Sequence, residues 1–131
     1  GIEGISLRDA AAVRRAVKLP VICAGGFQTA SVITRAIEEG KCDAVSIARP
    51  LLANNDLVQL YRQGYDRPPN PCTFCNKCLV NFVDNPLGCY DERRYASREE
   101  MIRQIFSVYD QPAYRETGAH PDRATATVPT P

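Results

Sequence analysis

Apolar and polar positions change period repeatedly along the first half of the chain. Ser6-Leu7-Arg8-Asp9 reads as a helix start, a hydroxyl followed three residues later by a carboxylate, and the Ala-rich stretch carries that helix to about Lys18, where Pro20 stops it. Val21-Ile22-Cys23-Ala24 is a short apolar run without alternation, the pattern of a strand covered on both faces, and Gly25-Gly26 breaks it. From about Thr29 to Glu39 the helical period returns, with Val32, Ile33, Ala36 and Ile37 on one stripe and Gly40 as the stop. Asp43 to Ile47 is a second buried strand, ended by Ala48-Arg49-Pro50. A third helix spans about Asp56 to Gln63, with Asn55 as its cap and Gly64 after its end.

The order helix, strand, helix, strand, helix, with short connections, predicts an α/β fold containing a parallel sheet or barrel. This texture holds over residues 1–67. Pro68, Pro69 and Pro71 then form an extended linker into a cysteine-rich loop, 68–96. Ser97-Arg98-Glu99-Glu100 is a capping box that opens a helix over 97–110, with Met101, Ile102, Ile105 and Phe106 on one side. Residues 111–131 hold four prolines among small and polar residues without periodicity, which predicts a disordered tail.

Composition narrows the class. The 131 residues are 44% hydrophobic and 24% charged, with a formal charge of +1, so no basic field for nucleic acid is present. No apolar run approaches the roughly 18 residues of a membrane span. Gly1 to Lys18 carries four Arg or Lys with Glu and Asp, unlike a secretory leader. With six cysteines, three of them tightly spaced, reduced thiols in the cytoplasm are expected rather than a disulfide framework. A chain opening on Gly1, close to a helix, reads as the C-terminal piece of a longer protein.

Two strand ends carry candidate chemistry. In parallel α/β folds ligands bind beyond the carboxyl ends of strands. Those ends read Ala24-Gly25-Gly26 and Ala48-Arg49-Pro50. Glycine lets a backbone approach a ligand with its N–H groups free, and arginine adds a charged fork of donors that matches phosphate. Gly25, Gly26, Ala48 and Arg49 are therefore candidate phosphate-binding residues. The same residues also fit a plain strand-to-helix turn and a surface charge.

The second constellation is Cys72-x2-Cys75-x2-Cys78, with Cys89 following after ten intervening residues. Iron–sulfur clusters are held by thiolates, usually four, and short gaps turn the chain back toward one cluster. Structural zinc sites more often use two separated CxxC knuckles. One [4Fe–4S] cluster is the reading that best fits the spacing, with zinc, or unligated or disulfide-bonded cysteines, as the alternatives. Asn76 and Lys77 could tune such a site or be plain exposed loop residues. Cys23 and Cys42 read as core residues, and the lone His120 has no assigned role.

Strand–Gly-Gly-Phe, then Val45-Ser-Ile-Ala-Arg-Pro-Leu-Leu-Ala53, then Cys75-Asn-x-Cys78 resembles the C-terminal part of the FMN barrel in the old yellow enzyme superfamily. The likeness runs over about residues 1–89 and is nearest to the branch containing 2,4-dienoyl-CoA reductase and trimethylamine dehydrogenase. It implies the last two βα units of a (β/α)8 TIM barrel, followed by the cluster loop and a helix. It also implies that Gly25, Gly26, Ala48 and Arg49 hold the FMN phosphate and that Cys72, Cys75, Cys78 and Cys89 hold a [4Fe–4S] cluster. NAD(P)H would be the hydride donor, with a small-molecule substrate and the proton donor on strands upstream. Two features depart from that branch. The Cys78–Cys89 gap is short, and no GxGxxG nucleotide fingerprint follows Cys89. Either an electron-transfer partner protein serves the cluster, or the cluster is structural; a zinc- or cluster-stapled module without electron transfer is the competing function.

Overall fold

The computed structural model describes residues 3–107. Its elements are α1 (Leu7–Ala16), β1 (Ile22–Ala24), α2 (Ala30–Glu38), β2 (Ala44–Ser46), α3 (Arg49–Ala53), α4 (Leu57–Arg62), α5 (Lys77–Asn81), a 3-10 turn (Glu92–Arg94) and α6 (Arg98–Ser107). Strands β1 and β2 pair in parallel, with Ile22 opposite Ala44, Cys23 opposite Val45 and Ala24 opposite Ser46. Helix α2 supplies the crossover that a parallel pair requires. The α/β reading holds, and the parallel pair is the sheet among the described residues.

One core lies between the sheet and helices α1 and α2. Cys23, Phe27, Ala36 and Cys42 are buried there, with Leu7 and Ala10 from α1 and Val32 and Ile33 from α2 packed against them. Phe27 is 1% exposed, and burying such a ring contributes about 2–3 kcal/mol. Asp43 ties α1 to this core: its carboxylate accepts from Arg14 Nε at 3.1 Å and Nη2 at 3.0 Å, and from the Val21 N–H at 2.8 Å. The Arg14 guanidinium holds the Asp43 carboxyl below its ordinary range.

Several expectations are corrected. The strands are covered on one face only: Cys23 is buried, whereas Ile22 is 66% exposed. Among the described residues the packed helices lie on the Cys23–Val45 side, so nothing shields the other. Ile37, expected on the buried stripe of α2, is 40% exposed. Ser6 and Asp56 precede α1 and α4 without a side-chain cap bond, and it is Asp56 rather than Asn55 that stands at the α4 cap position. Gly40 does end α2, at φ 67°, a conformation that glycine adopts without cost. Ala48-Arg49-Pro50 ends β2 as expected, yet it also opens α3, where Pro50 sits in the first turn and lacks only an N–H that would go unused.

A second, smaller core joins Tyr90, Met101 and Ile105, with Tyr95 and Ile102 against them. It docks α6 on the chain returning from the cysteine loop. Ser97 caps α6 by accepting from the Glu100 N–H at 3.2 Å, while the Glu100 carboxylate takes the Ala96 N–H at 2.9 Å. Phe106, expected on the packed side, is 46% exposed. The end of the expected 97–110 helix, the 111–131 tail and His120 lie outside the described residues. No helix among the described residues is long and apolar enough to cross a membrane.

Candidate functional site

The two strand ends meet at one cavity of about 520 Å3. Gly25, Gly26, Ala48 and Arg49 all line it, and Phe74 and Asn76 reach in from the cysteine loop. Gly26 takes φ 71°, where a side chain would be strained. A Cβ on Gly25 would lie 3.2 Å from the backbone nitrogens of Ile5 and Ser6, so the chain is packed tightly behind this turn. Among the described residues no acceptor takes the N–H of Gly26 or of Ala48. Arg49 Nη1 donates to Asn76 Oδ1, and the guanidinium carbon stands 5.0 Å over the Phe74 ring. Among the described residues Arg49 forms no ion pair. Free peptide donors and an uncompensated guanidinium around one cavity fit a phosphate group.

The N–H groups leading into α2 are taken by carboxylates of the chain itself. The Glu3 carboxylate accepts from the N–H groups of Gln28 and Thr29 at 3.1 and 3.0 Å and from Thr29 Oγ1 at 2.7 Å. Asp66 accepts from the Ser31 N–H at 2.7 Å. An anion in the cavity is therefore met by loop peptides and Arg49 rather than by the end of α2.

A second, small pocket lies beside the first, and Cys72, Cys75, Cys78 and Cys89 all line it. Arg49 and Asn76 line this pocket too. The CxxCxxC segment curls because Phe74 and Asn76, on either side of Cys75, take left-handed conformations at φ 55° and 63°. Asparagine tolerates that geometry; for phenylalanine it costs about 1–2 kcal/mol. Cys78 is buried in α5, Cys75 is exposed, and all six cysteines of the chain are free thiols. Burial pushes the Cys72 and Cys78 thiols up, and neighbouring cysteines add to it; Arg49 and Arg94 pull Cys72 down. No three Cys, His, Asp or Glu side chains among the described residues stand in a metal-ligating arrangement. The donor set thus matches a four-thiolate cluster in kind, number and shared pocket, while its spacing is not that of a ligand shell.

Known proteins share this stretch. The chain is 32% identical over 79 residues to a metal reductase of Desulforamulus reducens, covering 59% of this chain and 12% of the relative. It is 27% identical over 117 residues to a cinnamate reductase of Clostridium sporogenes, covering 81% and 17%. With a multifunctional alkene reductase/demethylase OYE of Caballeronia cordobensis it shares 35% over 83 residues, covering 61% and 12%. The relatives are reductases of the old yellow enzyme and NADH oxidase type. The chain spans less than a fifth of the length of these three relatives. No protein-family profile matches it, and neither does a solved structure.

The strand turn and the cysteine loop are bound together by residues that pattern reading passes over. Gln28, fully buried, accepts from the Cys72 N–H through Oε1 at 3.0 Å and donates through Nε2 to the Cys72 carbonyl at 3.2 Å. Asp91, 1% exposed, accepts from Thr73 Oγ1 and from Arg93 Nε and Nη2, each of the latter at 2.9 Å. The Arg93 guanidinium, helped by Thr73, holds the Asp91 carboxyl far below the usual carboxylate range. Arg94 donates to the carbonyls of Asn70 and Pro71 at 2.6 and 2.7 Å and to that of Ala53, closing the linker onto the end of α3. The signal available in sequence was weak: a glutamine just after an apolar strand turn, and an Asp and two Arg just after Cys89.

Proposed function

We propose that this chain forms the closing end of the (β/α)8 barrel of an FMN- and [4Fe–4S]-dependent NAD(P)H oxidoreductase, of ene-reductase or dienoyl-CoA reductase type. The observation that carries this reading is the adjacency of the two pockets, with Arg49 on the wall of both. Gly25, Gly26, Ala48 and Arg49 would hold the FMN phosphate, and Cys72, Cys75, Cys78 and Cys89 the cluster. When bound, flavin supplies hydride transfer from NAD(P)H to an activated alkene, and a cluster supplies single-electron transfer. The chain's own part is binding. Peptide N–H groups and one guanidinium neutralise the phosphate, Phe74 covers the guanidinium, and Gln28 and Asp91 fix the loop that carries the thiols. No residue here is assigned as proton donor.

The complete gene product, purified anaerobically, is expected to release FMN on acid denaturation and to oxidise NAD(P)H when offered an activated alkene. A product that takes up no flavin when FMN is supplied overturns the reading. The competing reading is a cluster or zinc ion that acts purely as a staple of the cysteine loop. In that case metal removal loosens the loop without slowing NAD(P)H oxidation.

A further inference from the structure

We propose that Asn76 is a positioning residue that couples phosphate binding in the larger cavity to cluster binding in the cysteine pocket. The inference rests on the function proposed above and adds the link between its two sites.

Asn76 belongs to the cysteine loop by sequence, one residue after Cys75 and two before Cys78. Its side chain nevertheless serves the other site: Oδ1 accepts from Arg49 Nη1, and the residue lines both pockets. Phe74, on the other side of Cys75, stacks on the same guanidinium. Arg49 is thus held in place by the two loop residues that flank the exposed thiol. A guanidinium carries five N–H donors, so the bond to Asn76 leaves others for an anion. What Asn76 contributes is orientation.

The left-handed turn at Phe74 carries strain that persists only while the surroundings enforce it, and the four thiols line one pocket. Cluster uptake fixes Cys75 and Cys78, and with them the segment between. The guanidinium is then preorganised before phosphate arrives, so phosphate binding no longer includes the cost of ordering it. By linkage, bound FMN must favour cluster retention by the same factor.

The test uses the complete gene product, cluster-loaded and cluster-stripped, titrated with FMN and with riboflavin, which lacks the phosphate. FMN affinity is expected to be about five-fold or more higher in the loaded protein, with riboflavin affinity alike in both. Asn76→Gly keeps the left-handed backbone and removes the amide, so it should abolish most of that difference. Because stripped protein can lose its fold, a second arm stays with loaded protein. Asn76→Asp sets a carboxylate against Arg49 and should weaken FMN about ten-fold at unchanged iron content, leaving riboflavin unaffected. Equal FMN affinity with and without the cluster overturns the coupling. A difference that survives Asn76→Gly overturns Asn76 as its route. Failure to take up both flavin and iron overturns the underlying function, and is distinguishable from two sites that fill independently.

Discussion

Gln28→Met is the sharpest test of how the two pockets are joined. Methionine nearly preserves the volume of glutamine, so the core is not emptied, and volume-conserving changes usually cost little in themselves. What disappears is the pair of hydrogen bonds to the Cys72 peptide, at 3.0 and 3.2 Å, made by a side chain that is 0% exposed. Each such bond is worth about 1 kcal/mol net, and an unpaired peptide group out of water costs about 1–3 kcal/mol. Cys72 is only half-buried, so water relieves part of that cost, and about 2 kcal/mol is the reasoned loss. Hydrogen exchange of the Cys72 amide in metal-free protein reads it directly, since that N–H is the donor to Gln28. Protection should fall roughly 30-fold in the variant, because local opening becomes easier by that amount. Unchanged protection would refute the idea that this side chain anchors the cysteine loop to the strand turn.

Three further outcomes are expected. The Asp91 carboxyl is held low by Arg93 and Thr73, so its stabilisation is present above the unfolded Asp value of about 3.9 and is lost as pH falls through the depressed folded value. Asp91→Asn should cost about 2 kcal/mol at neutral pH and flatten the acid limb of an unfolding-midpoint against pH profile; an unaltered acid limb counts against the buried pair. Gly88→Ala puts a methyl 2.8 Å from Ile105 Cγ1 and should loosen α6 by about 1–3 kcal/mol, seen as faster exchange of α6 amides. Arg49→Lys keeps the charge but loses the planar fork and its stacking on Phe74, and should weaken FMN about ten-fold by fluorescence titration.

Much of this arrangement was legible from the chain. The β1–α2–β2 unit followed from an apolar run, a helical stripe and Gly40, all local signals. Gly25-Gly26 and Ala48-Arg49 could be paired because they occupy equivalent places in consecutive units, and they do share a cavity. The four cysteines likewise share a pocket. What eluded pattern reading was long-range or one-sided. Gln28 finds its partner 44 residues away, and Arg94 reaches back 41 residues to Ala53. No period or spacing encodes such contacts. The outer face of the strands, Ile22 included, is not covered by the described residues, since an apolar run reports what a strand can bury and not which elements lie within a given stretch. The α3 start hid inside a motif read as a strand terminator, since proline serves equally as a stop and as a first-turn residue.

We propose that four thiolates beside the Arg49-lined cavity hold an iron–sulfur cluster. Iron, acid-labile sulfide and zinc analysis of the complete gene product, purified anaerobically, tests it most directly. About four iron and four sulfide per chain, lost on replacing Cys75 or Cys89 with serine, is the predicted result. Stoichiometric zinc without sulfide, or a metal-free protein that takes up no iron on reconstitution, would contradict it.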